Sequence, residues 1–286
     1  MAFQIVTDTC CDFPQHYYEK LGLQVVPMVV TYKGGEVHTY TEEWLKNFYD
    51  GLRKGQAATT SAVNPAGWTE VMEPVLQSGD DVLVLAFSSG LSTTYQSAEI
   101  AADELREKYP ERTICVVDTL CASMGQGLLV WYACEKRSEG LSLQEVYQWV
   151  EDHKMNLCHW FTVDDLMYLK RGGRISAATA LVGTMLQIKP VLHVDDEGHL
   201  VNVAKSRGRK AALDALAKKM SQTALPGEND TIFISHGDCL EDAKYVGEKC
   251  KELCGVKNVI ISYIGAVIGS HAGPGTVALF YLGTQR

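Results

Sequence analysis

Residues 81–108 read DVLVLAFSSGLSTTYQSAEIAADELREK, and this stretch decides the architecture. Residues 82–87 form an apolar run with no polar interruption. A strand with one wet face alternates apolar and polar residues, so an uninterrupted run of this length belongs to a strand buried on both faces. Ser88-Ser89-Gly90 then breaks the strand. Ser92 or Thr93 supplies a capping hydroxyl, and residues 94–108 continue as a helix. A doubly buried strand that turns straight into a helix is one unit of a mostly parallel sheet with helices on both faces.

The same alternation extends outward. Residues 3–7 read as a buried strand, 14–21 as a helix and 23–32 as a second strand. Residues 42–53 are helical, with Trp44, Leu45, Phe48 and Leu52 on one face. Residues 55–61 read as a polar loop, and Asn64 then caps a helix whose first turn holds Pro65. A strand at 113–117 precedes helices at 124–136 and 143–154. In sheets of this kind ligands sit outside the carboxyl ends of the strands, which points to Asp8-Thr9, residues 88–93 and Asp118-Thr119.

The second half changes character. A strand at 157–163 leads to the basic, glycine-bearing turn Lys170-Arg171-Gly172-Gly173-Arg174. Residues 177–186 are small and apolar all round, as in a buried helix or a cavity wall. Residues 188–194 and 200–204 flank Asp196-Glu197-Gly198 as a hairpin. A helix at 210–220, a strand at 230–235, a helix at 240–253 and a strand at 259–264 complete a second, smaller α/β domain. The expected division is 1–155 and 156–286.

With 286 residues, two domains are expected. A hydrophobic content of 46% supplies a core with material to spare for an internal cavity. The net charge of −9 argues against nucleic acid as a partner, because phosphate neutralisation needs clustered Lys and Arg. The N-terminus MAFQIVTD lacks a secretory pattern, and no run approaches the ~18 apolar residues of a membrane span. A cytoplasmic protein with no stable membrane insertion is expected. The nine cysteines are odd in number and irregularly spaced, and no second pair joins Cys250 and Cys254, so free thiols and no metal site are expected.

Three groups of residues carry candidate chemistry. Thr59-Thr60-Ser61 and Ser88-Ser89 with Ser92-Thr93-Thr94 hold more hydroxyls than helix capping needs. A helix N-terminus with spare hydroxyls suits an anion, and capping and anion binding both remain open. The Lys170–Arg174 turn is either a solvated basic loop or an arginine fixed by glycines to face an anion. Gly269-Ser270-His271-Ala272-Gly273-Pro274-Gly275-Thr276 is a shaped loop or a tight turn around one histidine. His236, after its strand, reads as structural. Asp8-Thr9-Cys10-Cys11-Asp12 lacks the second carboxylate of a dehalogenase-type phosphatase. No nucleophile elbow surrounds Ser92, so a serine esterase using Ser92 and His271 has no motif behind it.

Taken in order, IVTDTCCDFP, TTSAVNP (59–65), FSSGLSTTYQSA (87–98), VVDTLCASMGQG (116–127), LMYLKRGGRI (166–175), LQIKPVL (186–192) and IGSHAGPG (268–275) resemble the DegV family. The resemblance runs from residue 5 to about 282. It implies two α/β domains with a long-chain fatty acid, such as palmitate or oleate, held between them. It also implies a protein without catalysis of its own, the lipid-carrying subunit of a bacterial fatty acid kinase that presents the acyl carboxylate to a separate kinase subunit. Carried over by motif, Thr60 and Ser92 are the carboxylate ligands, with Ser61 and Thr93 beside them. Arg174 and His271 are the polar groups near the head, and Arg207 is the basic surface that meets the kinase. The family usually has Gly after this serine; here Thr93 stands in its place, narrowing the head pocket or adding a hydroxyl.

Burial of an acyl tail releases about 0.8 kcal/mol per CH₂. Tail burial thus holds the lipid without an ion pair, and the carboxylate chiefly needs its oxygens satisfied. Leu181, Met185 and Leu186 are the expected tail contacts, and a monomer is expected. The readings from other classes are a stand-alone serine-type esterase or phosphatase acting on a lipid-like substrate, and a lipid-sensing regulator; no helix-turn-helix supports direct DNA binding.

Overall fold

A computed structural model describes residues 2–176 and 188–286. Leu181, Met185 and Leu186 lie outside the described residues. The first sheet holds β1 (Phe3–Asp8), β2 (Gln24–Val26), β6 (Asp81–Ala86) and β7 (Ile114–Asp118) in the order β2-β1-β6-β7, all parallel. Val82, Val84 and Ala86 join one core with helices Pro65–Gln77 and Thr94–Lys108. Leu83 and Leu85 join another with helices Met124–Ser138 and Leu143–His153. Alternate side chains of one strand thus feed two cores, which is why the run has no polar member.

A small antiparallel sheet, β4-β3-β5, sits apart; it consists of β3 (Val29–Tyr32), β4 (Gly35–Val37) and β5 (Ala58–Ser61). The expected strand over 23–32 is therefore two strands in different sheets, broken at Pro27, which has no N–H to continue a ladder. The expected polar loop over 55–61 ends as β5, a hydroxyl-rich strand whose paired threonines suit a pleated edge.

The second half forms a six-stranded sheet, order β10-β9-β8-β13-β11-β12. Its strands are β8 (Leu157–Thr162), β9 (Ile188–Val194), β10 (Leu200–Arg207), β11 (Thr231–His236), β12 (Asn258–Tyr263) and β13 (Val277–Leu282). Among the described residues of this sheet, only β11 and β12 pair in parallel. The mostly parallel expectation therefore describes the first sheet, and the second is the larger and mainly antiparallel. β13, absent from the sequence reading, is a central strand wedged between β8 and β11. Helices Arg209–Thr223 and Leu240–Cys254 cover one face with Cys158, Trp160, Leu279 and Tyr281. The other face presents Phe161, Ala278 and Phe280 to a core shared with Met124–Ser138. That helix packs on β1 and β6 of one sheet and on β8, β11 and β13 of the other, so a shared layer joins the two halves. Among the described residues, no helix is long and apolar enough to cross a membrane.

Candidate functional site

A cavity of about 420 Å³ opens between the two sheets, beside the start of helix Met124–Ser138. Its lining is mainly apolar. Phe161, Val194, Leu200 and Phe280 come from the second sheet, and Met28, Phe87 and Leu91 from the first half. Thr60, Ser92, Thr93, Arg174 and His271 also line it. A largely apolar space of this size with a few convergent polar groups is the usual form of a small-molecule site.

The parallel strands fix the position of the polar groups. At the carboxyl end of β1, buried Asp8 accepts from the backbone N–H of Cys10 at 2.9 Å and of Phe87 at 2.8 Å. At the end of β7, Asp118 accepts from the N–H of Ser89 and of Leu120, each at 3.1 Å. The two carboxylates pin the loop after β6. The Ser88 carbonyl then accepts from the N–H of Leu91 and of Ser92, each at 3.1 Å, which turns Ser92 toward the cavity. Ser92 Oγ accepts from Thr94 N–H at 3.2 Å and lies 2.8 Å from Thr94 Oγ1. Ser92 therefore caps the helix and faces the cavity at once.

A chain of contacts runs from the Leu91 carbonyl, next to Ser92, to the neighbourhood of His271. Arg174 donates through Nη2 to the Leu91 carbonyl at 3.0 Å and through Nη1 to the Gly172 carbonyl. His271 Nε2 lies 2.8 Å from Thr60 Oγ1. A Cβ on Gly172 would lie 2.2 Å from His271 Nδ1, so this approach requires glycine. Burial first, and then the Arg174 charge, pushes the His271 pKa down to about 4, and the imidazole is neutral at pH 7. Burial also lowers the Arg174 pKa, although a guanidinium stays charged. The cluster thus offers one positive charge, hydroxyls at Thr60 and Ser92 and a neutral imidazole, a set matched to a carboxylate.

The remaining predicted residues fall elsewhere. Ser61 is exposed and outside the cavity lining, because successive residues of β5 face opposite ways and Thr60 takes the inner position. Thr93 is exposed at the cavity and makes no side-chain cap bond; its φ of −79° is open to any L-residue, so the backbone does not demand the glycine that the resemblance led one to expect. Arg207 ends the edge strand β10 and is exposed. His236 lines no part of the cavity, and its Nδ1 accepts from Cys239 N–H at 3.2 Å.

Two buried residues escaped the sequence reading. His159 lines the cavity from inside β8, with Nδ1 3.1 Å from the Leu157 carbonyl and Nε2 accepting from Ala122 N–H at 3.2 Å. Its pKa lies well below the usual histidine value, first through burial. Ser123, also lining the cavity, donates to Asp12 at 2.6 Å and lies 2.9 Å from Ser235 Oγ. Burial raises the Asp12 pKa to about 8 and the Asp8 pKa to about 6. Both aspartates sit inside the packing, neither lining the cavity, which removes the geometric basis for phosphatase chemistry there. Among the described residues, no hydrogen bond joins Ser92 to His271, and no group of three or more His, Cys, Asp or Glu is placed to hold a metal ion.

The sequence model described as an uncharacterised protein of the DegV family matches residues 2–284. The chain belongs to the DegV family. A DegV domain-containing protein of Clostridium perfringens is 45% identical over 286 residues, covering 99% of this chain and 98% of that protein. Among solved structures, a DegV family protein of Thermus thermophilus described as fatty acid binding is 34% identical, with a TM-score of 0.86 over 99% of this chain and 100% of that one. A DegV lipid binding protein of Thermotoga maritima is 30% identical, with a TM-score of 0.86 and full coverage of both chains. The mixed α/β fold described above is thus shared with these DegV structures.

Proposed function

We propose that this DegV protein binds a long-chain fatty acid, tail in the apolar cavity and carboxylate against Thr60, Ser92, Arg174 and His271. The observation that carries the reading is that these four residues, far apart in sequence, border one mainly apolar space. The lipid-binding descriptions of the Thermus and Thermotoga relatives support the same ligand class. About fourteen buried methylenes release on the order of 11 kcal/mol before association losses. Phe161, Phe280, Val194 and Leu200 take the tail-wall role. Arg174 is already committed to two backbone carbonyls, so it offers charge without a free bidentate fork. One carboxylate oxygen is then left available to a second reactant.

The finer reading is that the protein acts as the lipid-carrying subunit of a fatty acid kinase. The free oxygen attacks the terminal phosphorus of ATP on a separate subunit, a carboxyl–phosphoryl bond forms, and the bond to the ADP leaving group breaks. Exposed Arg207 at the end of an edge strand suits the docking side of such a complex. Mass spectrometry of the purified, denatured protein tests the ligand class. A long-chain fatty acid in near-stoichiometric amount is expected; empty protein that also fails to take up added palmitate or oleate rejects the reading.

A further inference from the structure

Behind the apolar wall of the cavity lies a buried carboxyl that the fatty acid reading does not use. Asp12 Oδ2 is 2.6 Å from Ser123 Oγ, which is in turn 2.9 Å from Ser235 Oγ. Asp12 closes the turn after β1 of the first sheet, and Ser235 belongs to β11 of the second. Ser123 opens the helix Met124–Ser138 that packs on both. The Gly265 N–H also donates to Asp12, and a Cβ on Gly265 would lie 2.5 Å from Asp12 Oδ1. Both partners border the lipid space: Ser123 lines it, and Gly265 stands between the lining residues Ile264 and Val267. Ser123 holds its place at φ 55° and ψ −145°, a conformation that L-residues rarely adopt, and makes no side-chain bond to the helix it begins. Its hydroxyl serves Asp12 and Ser235 instead. Among the described residues, the titratable groups facing Asp12 are Asp8, Cys10 and Cys11 on its own segment, Tyr18 from helix Gln15–Lys20, Tyr40 from the segment before helix Glu42–Arg53, and Tyr49 from that helix. None of these is cationic. His236, beside Ser235, and His159, on the cavity wall, are both kept neutral by burial, and the Arg174 charge acts on Cys10.

From this placement we infer that the Asp12–Ser123–Ser235 cluster couples lipid affinity to a proton: an acyl tail against the Ser123 wall binds best when Asp12 is protonated. The inference rests on the fatty acid reading above. In the lipid-free protein, water in the hydroxyl-bordered space lowers the cost of a charge one hydroxyl away. A tail replaces that water with hydrocarbon and favours the neutral carboxyl. The Ser123 and Ser235 hydroxyls can each exchange donor and acceptor roles, so the cluster satisfies either protonation state without refolding. Burial already raises the Asp12 pKa to about 8, which puts the exchange within reach of ordinary solution conditions. The sign follows from linkage. The lipid-bound pKa is the higher of the two, so affinity is greatest below the lipid-free pKa. It falls as pH rises through that value and levels off above the lipid-bound one.

Isothermal titration of delipidated wild type and Asp12→Asn with palmitate, from about pH 6.5 to about pH 9.5, tests the coupling. Asparagine keeps the neutral form at every pH, and the ratio of the two Kd values cancels the titration of palmitate itself. The wild-type Kd is expected to rise about tenfold or more relative to the variant across this range, the effect of a pKa difference of about one unit or more. A second measurement needs no variant. Infrared difference spectra of wild type, lipid-loaded against delipidated, at about pH 8.5, are expected to gain a protonated carboxyl band; isotope-labelled palmitate displaces the lipid's own band. A Kd ratio that stays flat with pH, or no gain in that band, overturns the inference while palmitate binding leaves the fatty acid reading standing. Wild-type protein that binds no palmitate at any pH defeats the fatty acid reading and this inference with it.

Discussion

Thr60 and Ser92 each make a structural contact and, in the proposed reading, each also meets the lipid carboxylate, and the pairing gives a sharp test. Thr60 Oγ1 partners His271, and Ser92 Oγ accepts from a helix N–H. Removing either hydroxyl loses the Thr60–His271 contact or the helix-cap bond of Ser92 and, in the proposed reading, leaves a lipid oxygen underserved, at about 1 kcal/mol each. Thr60→Ala with Ser92→Ala is expected to weaken palmitate about tenfold or more by titration. An unchanged Kd in the double variant rejects both as head-group ligands. The buried Asp12 makes a different prediction. Its carboxyl is raised from 3.8 to about 8, chiefly by burial, so the native state holds a proton that the unfolded state has released. The contribution is fully present below the unfolded pKa and is lost as pH rises toward 8. Asparagine reproduces the protonated form and tolerates the φ of 51° found here. In thermal melts, the stability of Asp12→Asn relative to wild type is expected to climb between pH 4 and 8 and then level off, by about 2 kcal/mol or more in all. A pH-independent difference would show that the native carboxyl is ionised. Legibility at this scale follows density of signal. The hydroxyls around residues 60 and 92 exceeded what capping needs, so they stood out. His159 did not, because a histidine inside an apolar strand looks like any buried core residue until the fold aims it at a cavity.

At the scale of elements, the turn after helix Met167–Arg171 holds two adjacent glycines with unlike roles. Gly172 lies where a Cβ would meet the His271 ring, whereas Gly173 has φ of 73° with nothing within 4 Å of its added Cβ. Gly172→Ala is expected to push His271 off Thr60 and to weaken palmitate binding at least about tenfold. Gly173→Ala is expected to cost about 1 kcal/mol of stability through backbone strain while leaving the Kd near wild type. Equal effects on binding from the two substitutions would contradict the fixed approach of helix Ala266–Ala272 to this turn. The element reading of the chain succeeded where period and punctuation agreed, as in the helix Thr94–Lys108 and the capped helix Pro65–Gln77. It failed at β5 and β13. The run ATTS of β5 has too few residues to show a period, and its inward member is a threonine. Residues 277–282 are apolar throughout, yet the reading stopped at the glycine- and proline-rich segment before them and assigned them no element. Ser61 went astray with β5, since a loop does not reveal which of two neighbouring hydroxyls faces inward.

At the scale of the whole molecule, the cavity depends on two distant segments meeting. The hairpin between β9 and β10 carries Val194 and Leu200 into the cavity wall, and its turn rests on the loop after β6. Ser88 Oγ donates to the Gly198 carbonyl at 3.0 Å across this contact. Gly90 faces the same turn so closely that an added Cβ would lie 2.7 Å from the Glu197 carbonyl oxygen and 2.8 Å from the Gly198 carbonyl. These are backbone atoms, which no rotamer change can move. Gly90→Ala therefore has to separate the hairpin from the loop, while both local elements remain intact. The separation removes one buried hydrogen bond and admits water beside the apolar wall, at about 1–3 kcal/mol. Because the wall and not the head cluster is disturbed, the effect should appear as faster lipid release with little change in association. Stopped-flow displacement of a bound fluorescent fatty acid by excess palmitate measures this directly. An unchanged release rate, in a variant whose melting temperature has fallen, would mean that the hairpin stabilises the fold without closing the lipid's path.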